Sequence, residues 1–322
     1  MNDTVIDVVI SVAKKDLSKL QFCVDGLIFH SKNSISNIYI LSSDKSASDY
    51  LSTDVPVYYI NDDQYPVPKE EISKILGNQR FSSGYENYYF QQLLKLYIFR
   101  AIPDLLDCVL FLDSDFIISS KIQFLDDAGK HLMSYGYPFL WLMNTKDYPE
   151  SVNHIHASHA ARLIPEWKVQ HPYSGMHHHM VFHREILSAL LAIVEEQHKL
   201  PFWKAFINTI DIDSGKWNAA SEYVIYHHFS LSYYPEKIQL RHLKTCDIIY
   251  DVQNSKLFPN YFRKIIDPQC FHAVGYHAFI ALRERLQTMD YIPDFQKKIM
   301  LQSDNPCFKL ILDDGVLSIS NI

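Results

Sequence analysis

Two carboxylates are the first residues that could do chemistry. The apolar run Val109-Leu110-Phe111-Leu112 leads directly into Asp113-Ser114-Asp115. Acids at i and i+2 just past a strand can converge on one hard divalent cation. Mg2+ and Mn2+ prefer carboxylate and phosphate oxygens, so the cation would bridge to a diphosphate. The plainer alternative is a capping turn, with Asp113 or Asp115 accepting from the N–H groups at a helix start. A D-x-D pair alone is a weak signal. Its place at the end of a buried central strand strengthens the metal reading, because open α/β sheets bind ligands there.

Eight of the sixteen histidines fall between His154 and His183. The triplet His177-His178-His179 suggests zinc at first. Consecutive strand residues point to opposite faces, so at most His177 and His179 share a side. No cysteine lies nearby and H-E-x-x-H is absent, which makes zinc the weaker reading.

These groups need elements to position them. Ile6–Val12 is a dense β-branched run and predicts a buried first strand. Helical spacing covers Asp16–Phe29, strands follow at Ile35–Leu41 and Val55–Ile60, and Asn61–Gly84 reads as a loop with one short helix. A helix over Tyr88–Ile102, stopped by Pro103, precedes the strand Cys108–Leu112. This βαβ alternation predicts a mostly parallel sheet with helices on both faces. Later expectations are a strand at Tyr137–Asn144, an ambiguous Val152–Gln170, and a strand at His179–Phe182. Helices are expected at Arg184–His198, Pro201–Ile210, Ala219–Phe229 and Phe279–Thr288, with a strand at Ile238–Leu243. The tail carries a hairpin signal, Phe308–Leu312 and Val316–Ile319 around Asp313-Asp314-Gly315.

Composition sets outer limits. The 322 residues are 48% hydrophobic and 21% charged, which excludes a disordered chain, a collagen-like fibre and a coiled-coil rod. A formal charge of -7 argues against a general nucleic-acid binder. With 9 glycines and neither G-x-G-x-x-G nor G-x-x-x-x-G-K-[ST], no Gly-rich phosphate loop is present. Five scattered cysteines without a C-x-x-C pair read as reduced thiols in a cytoplasmic protein. No signal-peptide pattern or membrane-spanning run is seen, which leaves room for attachment at the inner face of a membrane.

Tyr88-Tyr89-Phe90-Gln91-Gln92-Leu93-Leu94-Lys95, Arg100-Ala101-Ile102-Pro103 and Leu110–Asp115 together resemble GT-A glycosyltransferases of the glycogenin and galactosyltransferase type. With Ser174-Gly175-Met176-His177-His178-His179 and Ser221-Glu222-Tyr223, the chain more closely resembles the DUF6492 family of bacterial and viral glycosyltransferases. The match runs from about Val5 to His277.

This resemblance implies an α/β GT-A fold in a single domain over residues 1–322. A donor half (1–120) would be followed by an acceptor half (121–288) and a tail (289–322). It implies hexosyl transfer from a UDP- or GDP-linked sugar to a glycan or lipid-linked glycan in surface polysaccharide synthesis. Asp113 and Asp115 would hold Mn2+ or Mg2+, with Ser114 between them and His272 as a third ligand. Lys95 and Gln92 would contact the donor, and Gly275 would permit close approach to phosphate. The family's phosphate lysine is replaced by Ala278, with His277 as the nearest polar group. Ser11, Ala13 and Asp16, at the end of the first strand, would border the nucleotide. Ser174, Gly175, His177 and His178 would form an acceptor loop, with Asp213 and Trp217 beside it. Glu222 would act as general base in an inverting enzyme, or simply sit at a helix N-terminus. Two readings compete: a sugar-phosphate nucleotidyltransferase, disfavoured because Ser11-Val12-Ala13-Lys14 is not Gly-rich, and a non-catalytic glycan- or nucleotide-binding module.

Overall fold

Strands that are buried on both faces need apolar residues at every position. Two such runs become the centre of the sheet. The structure, a computed structural model, describes residues 4–78, 85–136, 155–211, 219–243, 245–250, 273–278, 298–299, 308–313 and 316–321. The chain runs through β1 (Val5–Ser11), α1 (Leu20–His30), β2 (Ser34–Leu41), β3 (Val57–Ile60), α2 (Lys69–Asn78), α3 (Tyr85–Leu96), α4 (Ile98–Ala101), β4 (Cys108–Asp113), β5 (Phe116–Ile118) and β6 (His131–Ser134). It continues through α5 (Ile155–Leu163), β7 (His179–His183), α6 (Arg184–His198), α7 (Phe202–Asn208), α8 (Glu222–Tyr233), β8 (Ile238–Arg241), β9 (Thr245–Tyr250), β10 (Ala273–Ala278), β11 (Lys298–Ile299), β12 (Phe308–Asp313) and β13 (Val316–Asn321).

The central sheet has the order β3-β2-β1-β4-β7. Its first four strands are parallel and β7 is antiparallel to β4. The α/β expectation, a mostly parallel sheet flanked by helices, holds. Alternation along each central strand feeds two cores. Val9, Val109 and Phe111 face one, while Val8, Ile10, Leu110 and Leu112 face the other. Gly26 in α1 lets that helix lie close on β5, since a Cβ there would meet the Ile118 carbonyl at 2.6 Å. Smaller sheets follow: β5-β10-β9, β6-β8 and β11-β12-β13. The tail hairpin forms as expected, with β12 and β13 antiparallel.

Several boundaries differ from expectation for identifiable reasons. A 3-10 turn over Lys14–Lys19 precedes α1, so the α-helix begins at Leu20. Tyr97, at φ -95° and ψ 7°, divides the expected single helix into α3 and α4. The strand expected from Val55 begins at Val57, because Pro56 has no N–H for the ladder. The Ser221 side chain accepts from Val224 N–H, so α8 starts at Glu222 rather than Ala219. The ambiguous His-rich stretch contains α5, and β5, β6, β9 and β10 were not expected from periodicity. The strand at Tyr137–Asn144 and the helix at Phe279–Thr288 lie outside the described residues. Among the described residues, no helix is long and apolar enough to cross a membrane.

Candidate functional site

β1 and β4 end side by side, with Ser11 opposite Asp113 in the parallel register. Asp113 shares the parity of Val109 and Phe111, so its carboxylate faces the core that holds α3 and α8. Ser114 and Asp115 then make the turn into β5. The Ser114 N–H donates to the Ser11 carbonyl at 3.3 Å, and the Asp113 N–H donates to the His178 carbonyl at 3.0 Å. The turn is thereby fixed to β1 on one side and to the segment before β7 on the other.

Lys95, in the last turn of α3, lies under this turn. Its Nζ is 2.8 Å from Glu222 Oε1 and 3.2 Å from Asp113 Oδ1. It also donates to Tyr223 OH at 2.9 Å. The side chains of Lys95 and Glu222 are 6% and 8% exposed, against 22% for Asp113, so the pair is nearly dry and the rim is Asp113. Burial works against the charged form of Lys95, but Asp113, Glu222 and Tyr223 outweigh it and hold the ammonium well above its ordinary pKa. Burial likewise opposes the ionised Asp113. Lys95 and His178 outweigh that and hold its carboxyl below the usual range. Burial pushes the Tyr223 hydroxyl well up, so it stays protonated.

Gln92 secures the helix that delivers Glu222. Its Nε2 donates to the Ala220 carbonyl at 3.1 Å, and its Oε1 accepts from Glu222 N–H at 3.2 Å. Tyr88 OH donates to the same carbonyl at 3.2 Å. The aromatic-x-Gln-Gln-x-x-Lys pattern therefore fastens the start of α8, and Gln92 is buried in doing so.

The other sequence-predicted residues separate into three groups. Ser11 stands at the turn, with its Oγ buried and without a hydrogen-bond partner. His178 is half-buried, with Nδ1 3.6 Å from Asp113 Oδ2. Gly275 is buried on β10 opposite Phe116, which brings that strand beside Asp115. His277 follows on β10, opposite Ile249 of β9.

A second group is turned inward or held elsewhere. Asp16 is buried and paired with Lys19 at 2.6 Å, and Ala13 is exposed ahead of it. His177, just ahead of β7, shares a side with His179, and their Nδ1 atoms are 3.0 Å apart. His177 Nε2 is 3.1 Å from Thr245 Oγ1, inside the core. Burial holds His179 well below its ordinary pKa, hence neutral. Ser174 Oγ accepts from Met176 N–H at 3.1 Å. Gly175, at φ +70°, packs on the His227 ring, where a Cβ would come within 2.2 Å.

The third group, Asp213, Trp217 and His272, lies outside the described residues. Sequence reasoning did not single out Tyr223 or the Lys95–Glu222 contact. The Ser-Glu-Tyr segment was its only trace.

The arrangement is a strand-end turn that offers carboxylate oxygens, an unpartnered hydroxyl and a rim imidazole, above a buried ion pair. No family model matches the chain. No curated protein matches it either. Among solved structures it is similar to mouse xyloside xylosyltransferase 1 in its apo form, at 10% identity and a TM-score of 0.40, over 84% of this chain and 97% of that one.

Proposed function

We propose that the chain is a metal-dependent GT-A glycosyltransferase. It would move a sugar from a nucleoside-diphosphate donor to a hydroxyl of a glycan or lipid-linked glycan, in the cytoplasm or at the membrane's inner face. The observation that carries this reading is the Asp113-Ser114-Asp115 turn at the carboxyl end of a central parallel strand. Asp113 and Glu222 both pair with Lys95, and Asp115 acts on Asp113 as a second carboxylate of the turn, so three acids face one buried lysine's charge. Asp113 Oδ1 is ion-paired with Lys95 but accepts no well-directed hydrogen bond, and Ser11 Oγ has no partner, so the donor set fits a hard cation and a phosphate beside it. Asp113 and Asp115 would hold Mg2+ or Mn2+, which when bound supplies Lewis-acid stabilisation of the leaving diphosphate.

The chain's own residues do the rest. Lys95 keeps Asp113 ionised and anchors it from below. Glu222 is committed to Lys95, so in this reading it positions that lysine, and the general-base role implied by the resemblance gives way. Tyr223 OH accepts from the same ammonium and fixes its direction. Ser11 Oγ offers a hydrogen bond to the donor. His178 would be the histidine of its segment that meets substrate; what supports this is its half-buried position beside Asp113, while His177 and His179 are buried in the core.

The test is release of nucleoside diphosphate from a panel of UDP- and GDP-sugars, with Mn2+ or EDTA. Release that needs the metal and is lost in Asp115→Asn supports the reading. Metal-dependent binding without release from any donor would leave a binding module. Release that is insensitive to both EDTA and Asp115→Asn would overturn the strand-end site.

A further inference from the structure

We propose that Cys108, His131 and His183 form a second metal site, of the zinc type, at the amino end of β4. Cys108 opens β4, His131 opens β6 and His183 closes β7. One ligand atom from each lies within 4.8 Å of the others. The antiparallel register of β4 and β7 sets Cys108 directly opposite His183. Cys108 Sγ is 3.4 Å from His131 Nε2. Zinc bonds of about 2.3 Å to sulfur and about 2.05 Å to nitrogen, at the tetrahedral angle, put that edge at about 3.6 Å. The strands already hold the two atoms at ligand spacing.

The donor set selects the metal. A thiolate with imidazoles favours Zn2+ over Mg2+ or Mn2+, the reverse of the oxygen-rich turn at the other end of the strand. His131 Nδ1 is buried without a partner, so the ring proton can reside there and leave the Nε2 lone pair facing the sulfur. Cys108 and His183 are only half-buried, which gives an ion a way in.

His183 requires one adjustment. Its Nδ1 accepts the Glu185 N–H at 3.1 Å, and its Nε2 faces Lys237 Nζ at 3.4 Å. A neutral imidazole has one lone pair and cannot accept from both. Lys237 has a closer partner in Glu185, at 2.8 Å, and can yield Nε2 to a metal. Coordination there moves the ring proton to Nδ1 and gives up one helix cap, which metal binding outweighs.

His171, His227 and His228 also gather three ring nitrogens. There, Tyr173 N–H donates to His171 Nδ1 and Gln170 N–H to His228 Nδ1, both at 3.1 Å. Those neutral rings carry their protons on Nε2, and His171 donates on to His227 Nε2 at 2.9 Å. A metal would break two loop contacts, so that trio reads as a clasp between the loop and α8. At Cys108, by contrast, a metal would tie β6, and through it β8, to the central sheet.

The experiment is a Co2+ titration of the full chain, read by the near-ultraviolet thiolate-to-cobalt band. One thiolate-bound cobalt per chain is expected, displaced by Zn2+ and not by Mg2+. The band should vanish in Cys108→Ser and in His131→Asn. It should persist in Cys23→Ser, whose thiol lies 3.8 Å from the Asp113 carbonyl at the other end. No thiolate band in the wild type, or one that survives Cys108→Ser, overturns the proposal. Should the variants fail to fold, alkylation of the wild-type protein decides. Zn2+ should slow Cys108 modification about tenfold or more, because a bound thiolate is a poorer nucleophile. Equal labelling with and without Zn2+ overturns it.

Discussion

At its carboxyl end β4 presents Asp113 to Lys95 and His178; at its amino end it presents Cys108 to His131 and His183. The first set is charged, rich in oxygen and built over a dry ion pair. The second is neutral, made of sulfur and nitrogen, and open at one side. A single strand of six residues thus carries two kinds of donor atom. The strand supplies position at both ends, and the hardness of the side-chain atoms decides which cation each end suits. The two ends also differ in what holds them. The carboxyl end depends on helices from distant parts of the chain, whereas the amino end depends on the pairing of β4 with β7 and on β6 packed beside them.

The strongest way to break this contrast is to remove the buried cation. Lys95→Met should cost about 3–5 kcal/mol, since it leaves Asp113 and Glu222 facing each other without compensation. Urea denaturation measures it. Adding Glu222→Gln should recover part of the loss, and a cost below about 1 kcal/mol would mean that the pair is not buried as described.

Next comes Asp115→Asn. Metal-dependent turnover should fall about 100-fold or more, near 2.7 kcal/mol of transition-state stabilisation, in a nucleotide-release assay. Stability should stay within about 0.5 kcal/mol, because Asp115 is only half-buried.

A third test keeps acid sensitivity from being credited to either end. His159 is fully buried in α5, with Nε2 3.0 Å from the Phe206 carbonyl, and burial lowers its pKa to about 4. Unfolded histidine titrates near about 6.5, so between those values the unfolded chain binds a proton that the folded chain refuses. This contribution is complete above about pH 6.5 and is lost as pH falls towards 4. His159→Gln should flatten the slope of stability against pH between 6 and 5 by about 1 kcal/mol per unit. An unchanged slope would place the acid sensitivity elsewhere.

The smallest expected effect is at Ser11. Ser11→Ala removes a hydroxyl with no protein partner, so thermal stability should barely move. Nucleotide affinity should drop about 3- to 10-fold, the worth of one hydrogen bond, in a binding titration. Unchanged affinity would turn that hydroxyl away from the donor.

The sequence showed what local patterning controls. The dense runs of β1 and β4 announced a buried parallel sheet. Arg184–His198 was bounded correctly because His183 caps it and its apolar spacing is regular. The aspartate turn was visible because it interrupts an apolar strand. What stayed hidden depends on contacts distant in the chain. Lys95 and Glu222 are separated by 127 positions, and no local signal ties an α3 lysine to the start of α8. Cys108, His131 and His183 are isolated residues until pairing of β4 with β7 and the packing of β6 beside them assemble the three. The short strands β5 and β10 pair across more than 150 residues, and three to six residues are too few for a reliable period.

The most direct measurement is calorimetric titration of UDP, GDP, CMP and dTDP into the wild type and Asp115→Asn, each with Mn2+ or EDTA. The account predicts that one nucleotide class binds the wild type in Mn2+, and that binding is lost both in EDTA and in the variant. Binding that persists unchanged in EDTA and in Asp115→Asn would contradict it, as would no binding of any nucleotide.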